Sequence, residues 1–345
     1  MAQSVHLHLI HSLHSSEFKR IMSPDKKQKE NVRLHLRNKN RERYDLSALI
    51  TATPDLKQFV VPNKYGVDSV DFSNPEAVKL LNTAILNHYY GIKFWEFPDE
   101  NLCPPIPGRA DYLHHLADLL AEHNSGTIPI GNKVTGLDIG IGASCIYPIV
   151  GAAEYNWRFI GADIDANSIA SSQRIIDGND ATKDKVECRL QANPADVLHG
   201  VLDKEELIDF TICNPPFHAS AEEAQKGTKR KVKNLSGKKT KTPELNFSGI
   251  SNELICEGGE YKFIENLIRE SEIYAKNCFW FSTLVSKQSH LKGILEQLKN
   301  NRANIVKTIP MGTGNKSSRV VAWTFLSKDE RKEWSRSRWR SLLLK

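Results

Sequence analysis

Lys133-Val134-Thr135-Gly136-Leu137-Asp138-Ile139-Gly140-Ile141-Gly142-Ala143-Ser144 is the stretch that decides the fold. Its first half reads as a short apolar strand, and its second as a glycine-rich turn opening a helix. Gly140 and Gly142 let the backbone approach a ligand where a Cβ would collide. The third glycine of the dinucleotide fingerprint is missing, which argues against a nicotinamide or flavin cofactor. A second strand, Trp157-Arg158-Phe159-Ile160-Gly161-Ala162, ends in Asp163. An acid at this strand end, about 20 residues after the glycines, is placed to accept from both hydroxyls of a ribose. Asp165 competes for that role, but it stands where a helix beginning near Ala166 needs its cap.

From Lys133 to Leu326 strand and helix signals alternate, as βαβ units require. The pattern predicts strands near 133–139, 158–163, 186–190, 207–213, 278–285, 303–309 and 319–326, with helices near 143–154, 166–178, 260–276 and 287–300. The expected fold is α/β and Rossmann-like, a mostly parallel seven-stranded sheet with an antiparallel edge hairpin. Upstream, helices are expected near 46–52, 75–90 and 109–123. The proline-rich link Cys103-Pro104-Pro105-Ile106-Pro107-Gly108 separates the last two.

The fourth strand of this series runs into Asn214-Pro215-Pro216-Phe217. This group suits the holding of a planar amino group. The Asn214 side-chain oxygen accepts one hydrogen bond from an exocyclic amine, and the Pro215 carbonyl accepts another. Neither proline has an N–H that would compete, and both have a fixed φ. Phe217 can stack on a base turned out of its helix or loop. Strand ends in Asn-Pro are also ordinary turn signals. Combined with the glycine turn and the ribose acid, the group points to an S-adenosylmethionine-dependent amino methyltransferase.

Composition bounds the partners. The 345 residues carry a formal charge of +6, unevenly spread. Six scattered cysteines without C-x-x-C spacing read as reduced residues, not as a zinc site or a disulfide framework. No apolar run is long enough to span a bilayer, no metal is implied, and a cytoplasmic location is expected. Residues 1–23 read as a disordered extension, or as the product of a misassigned start codon with Met22 the true beginning, and their histidines have no acidic or cysteine partners. Residues 24–124 read as a basic, helical, RNA-binding module and 125–328 as the catalytic domain. The long insertion 219–259 has an acid-free Lys-rich centre at 226–241. That centre emerges from the strand end bearing Asn214, where Lys229, Arg230 and Lys231 would meet phosphates. The tail 329–345 mixes cations with Trp334 and Trp339, and packing of the indoles on the domain is the reading preferred over base stacking.

The string Asp138-Ile-Gly-Ile-Gly-Ala-Ser-Cys-Ile-Tyr-Pro148, together with Asn214-Pro-Pro-Phe217, resembles the bacterial family of ribosomal RNA large-subunit methyltransferase F, adenine-N6 methyltransferases of 23S ribosomal RNA. Eukaryotic relatives modify small nuclear and messenger RNA. The resemblance covers about Leu34 to Leu326, including Arg37-Asn38-Lys39-Asn40-Arg41-Glu42-Arg43-Tyr44-Asp45, Pro107-Gly-Arg109-Ala-Asp-Tyr112 and Gly258-Gly259-Glu260. It implies that Arg109 pairs with the methionyl carboxylate of the cofactor, a role suited to its planar guanidinium. It also implies RNA contacts by Arg37, Lys39, Arg41 and Arg43, and by Lys316 and Arg319. Asp138, Gly140, Gly142 and Asp163 are then the remaining cofactor residues. The substrate implied is 23S ribosomal RNA or a large-subunit assembly intermediate. The Lys-rich tract departs from the family in length and charge. Two other readings stay open: a protein glutamine-N5 methyltransferase acting on a release factor, and a non-catalytic RNA-binding protein with a methyltransferase-like domain. The modified adenine and the oligomeric state are not legible in the sequence.

Overall fold

The computed structural model describes residues 34–63, 65–220, 255–312 and 318–340. Helix α1 (Leu46–Ala52) leads through a 3-10 turn (Pro54–Phe59) into a small antiparallel hairpin, β1 (Val60–Pro62) and β2 (Asp68–Val70). The hairpin has no counterpart in the sequence expectations. Its strands are three residues long, one contains a proline, and they show no apolar alternation to detect.

Helix α2 (Pro75–Tyr90) and helix α3 (Ile106–Glu122) follow. The bounds of α2 follow from local chemistry. The Asn74 side chain accepts from the Glu76 and Ala77 amides, Pro75 occupies the first turn, and Gly91 ends the helix at φ +68°. Helix α3 begins three residues before the expected Arg109. Pro107 does not exclude a helix there, because an amide in the first turn has no intrahelical partner to lose.

The catalytic half alternates β3 (Thr135–Ile139), α4 (Ile146–Tyr155), β4 (Arg158–Asp163), α5 (Ala166–Asp177), β5 (Val186–Leu190), β6 (Ile208–Cys213), α6 (Gly259–Ile273), β7 (Cys278–Val285), α7 (Gln288–Asn300), β8 (Ile305–Met311) and β9 (Ser318–Thr324). The sheet order is β5-β4-β3-β6-β7-β9-β8. Five strands are parallel, and β9 pairs antiparallel with both β7 and β8. This is the mixed, mostly parallel seven-stranded methyltransferase sheet that the alternation predicts, with strand ends shifted by a residue or two.

Both faces of the sheet are covered, so its central strands are buried along their length. Phe159, Phe210, Phe279 and Trp157 share one core with Leu49, Ile85, Leu116 and Tyr112. The helices of residues 46–122 thus pack into the same core as one face of the sheet. Leu137, Ile160, Phe281 and Trp323 form the opposite core with Ile264, Leu267 and Ile294. Strand packing is close enough that a Cβ on Gly136 would lie 2.5 Å from the Phe210 ring. Among the described residues, no helix is long and apolar enough to cross a membrane.

The tail forms α8 (Lys328–Trp334), started by a capping box between Ser327 and Glu330, and one further π-helical turn (Ser335–Trp339). Its two indoles pack on the domain, as the preferred reading had it, and they converge on Asp209 at the start of β6.

Candidate active site

The chain passes from β3 outward to β5, then returns to lay β6 on the other side of β3. That reversal is a topological switch point, where the carboxyl ends of neighbouring strands diverge and leave a crevice. A cavity occupies it, lined by the glycine turn, the β4 end and the β6 end.

Gly140 and Gly142 have φ of +79° and +63°, values that L side chains rarely adopt. The amides of Gly140 and Ile141 both donate to the Ala162 carbonyl at 2.9 Å, which folds the turn across the end of β4. Asp163 accepts from the Gly142 amide at 2.9 Å and the Asp165 amide at 3.0 Å, and burial raises its pKa. Asp165 caps α5 through the Asn167 and Ser168 amides, each at 3.2 Å. The two aspartates therefore divide as their positions suggest: both face the cavity, but only Asp165 carries a helix end.

Asp138 lies behind the turn, 1% exposed, and neither carboxylate oxygen has a hydrogen-bond partner. Burial, then the charge of Asp163, pushes its pKa well above the usual range, against the pull of Arg109. Arg109 projects from the first turn of α3 into the cavity. It donates to the Tyr147 hydroxyl at 3.1 Å and lies over that ring, while its buried Nε has no partner. A buried carboxylate without donors, beside a guanidinium with unused N–H groups, is incomplete chemistry. Arg109 lies on the cavity wall with donors to spare, so it fits the methionyl carboxylate of S-adenosylmethionine, whereas Asp138 does not line the cavity.

Asn214 and Pro216 line the same cavity across from the glycine turn, Pro215 is buried beneath them, and Phe217 is half-buried next to them. The chain re-enters at Ile255, which bridges to His218, and Cys256 donates its amide to the His218 carbonyl. Glu260, 1% exposed, then gathers the Ser286 amide at 2.7 Å and His290 Nδ1 at 2.7 Å, tying the start of α6 to the loop after β7.

Several lining residues escaped the sequence reading: Tyr147, Ser168, Gln191, Asp196 and Phe263. Gln191 directly follows β5, and the rule that ligands sit at carboxyl strand ends was the signal available for it. Tyr147 stands inside the Asp138–Pro148 string, which was its signal, and the others reach the cavity from helices and loops that no local pattern marks.

The basic residues assigned to RNA separate into different situations. Arg37 donates to the His114 carbonyl at 2.8 Å and pairs with Asp118 at 2.8 Å; Lys39 reaches Glu154 at 2.5 Å and the Tyr89 carbonyl. Arg41 bonds the Leu34 carbonyl, whereas Arg43 is exposed. Arg37 and Lys39 thus tether residues 34–41 to α3 and α4, a structural duty the sequence reading did not include. Arg319 is 6% exposed on β9, where burial lowers its pKa against the opposing charge of Glu260. Lys229, Arg230, Lys231 and Lys316 lie outside the described residues.

Within the tether, His35, His115 and Asp118 bring ligand-type atoms within 4.8 Å of one another. His35 Nδ1 accepts the Arg37 amide, so Nε2 holds the proton that Asp118 accepts at 2.8 Å. That tautomer, with Arg37 also on Asp118, reads as a hydrogen-bonded anchor and not as a cation site.

The fold and the site define a methyltransferase of the Rossmann-like class. A family model described as RNA methyltransferase matches residues 28–327, and the chain belongs to that family. Among curated relatives, it is 53% identical to ribosomal RNA large subunit methyltransferase F of Cytophaga hutchinsonii over 308 residues, covering 89% of this chain and 96% of the relative. The protein of the same name from Photobacterium profundum is 49% identical over 322 residues, covering 89% and 95%. Among solved structures, the catalytic domain of human METTL16 in complex with MAT2A 3′UTR hairpin 1 superimposes with a TM-score of 0.73 at 29% identity, covering 86% of this chain and 97% of that one. The N-terminal domain of human METTL16 in complex with SAH gives 0.66 at 26% identity, covering 85% and 99%.

Proposed function

We propose that this protein transfers a methyl group from S-adenosylmethionine to the N6 amine of one adenine in 23S ribosomal RNA. The observation that carries this reading is the placement of Asn214 and Pro216 on the same cavity as the glycine turn, Asp163 and Arg109. Acceptors for an amine and the residues fitted to the cofactor share one chamber across the switch point. The relatives' name supplies the ribosomal substrate.

Arg109 would hold the methionyl carboxylate and Asp163 the ribose hydroxyls, with Asp138 buried behind the glycine turn. The cofactor, when bound, supplies a methyl group already made electrophilic by its sulfonium. What remains for the protein is the adenine amine, whose lone pair is delocalised into the ring. Asn214 Oδ1 and the Pro215 carbonyl accept its two N–H bonds and draw the nitrogen toward a tetrahedral arrangement. The lone pair so freed would face the methyl group that the cofactor supplies, with the sulfide as leaving group, and the amine's surplus proton would pass to solvent. Phe217 stacks on the base, a contact of about 1–3 kcal/mol. Positioning and fixed dipoles do most of the work, and no general base is needed. Phosphate contacts fall to Arg43 and to the Lys-rich tract beyond Ser220. The enzyme acts in the cytoplasm, on the RNA or on a large-subunit assembly intermediate.

The test is methyl transfer from labelled cofactor to large-subunit ribosomal RNA from cells lacking the enzyme, with nucleoside mass spectrometry of the product. N6-methyladenosine is expected from the wild type and not from Asn214→Ala. Transfer to a release-factor glutamine with none to RNA, free or in particles, would overturn the proposal.

A further inference from the structure

The backbone ladder between β6 and β7 stops short of the site. Its paired residues are Ile208 with Cys278 and Phe210 with Trp280, and Asn214 lies four residues beyond the last of them. Side chains take over in the interval. The Ser282 hydroxyl donates to the Thr211 carbonyl, and the Ser282 amide donates to Thr211 Oγ1 at 2.8 Å. The Ser282 hydroxyl proton is thereby committed, so the Tyr112 hydroxyl, 2.8 Å away, is the donor to Ser282 Oγ. The result is a directional chain from Tyr112 O–H to Ser282 O–H to the Thr211 carbonyl. It grips β6 at Thr211, two residues before the end of the strand that runs into Asn214.

Tyr112 stands on α3, one helical turn after Arg109. Its ring meets Tyr147 edge-on at 5.6 Å, and Tyr147 is the residue whose hydroxyl takes the Arg109 guanidinium. Tyr112, Thr211 and Ser282 are all fully buried, so no water competes for these bonds. We infer that Tyr112 is a positioning residue for methyl transfer: its hydroxyl holds the β6 end, and with it the Asn214 acceptor, in fixed register with the Arg109 clamp. The reason is geometric. Cofactor and amine acceptors sit on different elements, and in-line transfer requires their spacing to be set before the base arrives. A displacement of about 1 Å at such a site is enough to cost a large factor in rate.

The inference rests on the proposed methyl transfer, and the experiment separates the two. Tyr112→Phe removes the hydroxyl and keeps the ring against Tyr147. Expected is a fall in kcat of at least about tenfold, with the cofactor Kd by calorimetry changed less than twofold. Ser282→Ala interrupts the same chain from β7 and should behave alike, even if Tyr112→Phe folds poorly. The double variant should be no slower than about twofold below the slower single one, because both break one chain. A merely structural role would lower the melting temperature while leaving kcat of the folded fraction unchanged. If wild type makes N6-methyladenosine, Asn214→Ala does not, and both hydroxyl variants keep kcat within twofold, the inference on Tyr112 falls and the function stands. If wild type makes no N6-methyladenosine, both fall together.

Discussion

The Trp339 indole nitrogen lies 2.8 Å from Asp209 Oδ1, joining the last described turn of the chain to the first residues of β6. Trp334 donates to the same oxygen at 2.8 Å, and Arg338 and the Thr135 amide reach the other at 3.2 and 2.7 Å. Asp209 is fully buried, so each of these donors answers a charge that water cannot. The tail is thus a fastener across the amino ends of β3 and β6, at the opposite end of the strands from the cavity.

Replacing Asp209 with alanine should destabilise the protein by on the order of 3 kcal/mol, since it strands two indole donors, an amide and a guanidinium. Urea unfolding followed by tryptophan fluorescence measures this. Activity per folded molecule should stay near wild type, because the site lies at the other strand ends.

Asn214→Ala should lower turnover by roughly 10²–10³-fold while changing the cofactor Kd less than twofold, as expected when one preorganised acceptor is removed from a transfer site. Single-turnover kinetics beside calorimetry resolve the two quantities. Turnover within threefold of wild type would remove Asn214 from its assigned role.

Arg109→Lys should weaken cofactor binding about tenfold, because a point charge on a flexible stem cannot reproduce the planar donor array that Tyr147 holds in place. Isothermal titration with S-adenosylhomocysteine gives the number directly. An unchanged Kd would show that the carboxylate binds elsewhere.

Asp138 makes a prediction about pH. Its folded pKa is raised from an ordinary 3.8, mainly by burial. The folded form therefore holds its proton more tightly than the unfolded chain does. The resulting stability is complete below the unfolded value and is lost as pH rises through the folded one. Asp138→Asn, which cannot ionise, should accordingly gain in melting temperature relative to wild type as pH increases from 4 to 8, without cofactor. A melting difference that is flat across that range would mean that Asp138 finds a partner when ionised.

Much of the fold was legible because parallel strands buried on both faces leave apolar runs bounded by turn signals. The bounds of α2 and β4 coincide with expectation: Asn74 and Gly91 cap the helix, and β4 is an apolar run closed by Asp163. The antiparallel β8–β9 hairpin was legible as the edge hairpin of the strands expected near 303–309 and 319–326. The β1–β2 hairpin was not, and neither was the shared duty of Trp334 and Trp339 on Asp209, since a residue's partner 125 or more positions away leaves no local mark.

What the sequence by itself determined is the order of elements, the glycine turn, and the chemistry available at Asp138, Asp163, Arg109 and Asn214. These follow from backbone preferences and side-chain types, which are local properties. Only the tertiary structure decided that Arg37 and Lys39 serve as tethers, that Arg319 is buried, and that Tyr112 bridges α3 to the last residues of β6. Each of those depends on which surfaces meet when the helices of residues 46–122 close over one face of the sheet. The chain's one-dimensional pattern says which faces are apolar, but burial and hydrogen-bond partnership are set by the packing of faces distant in sequence.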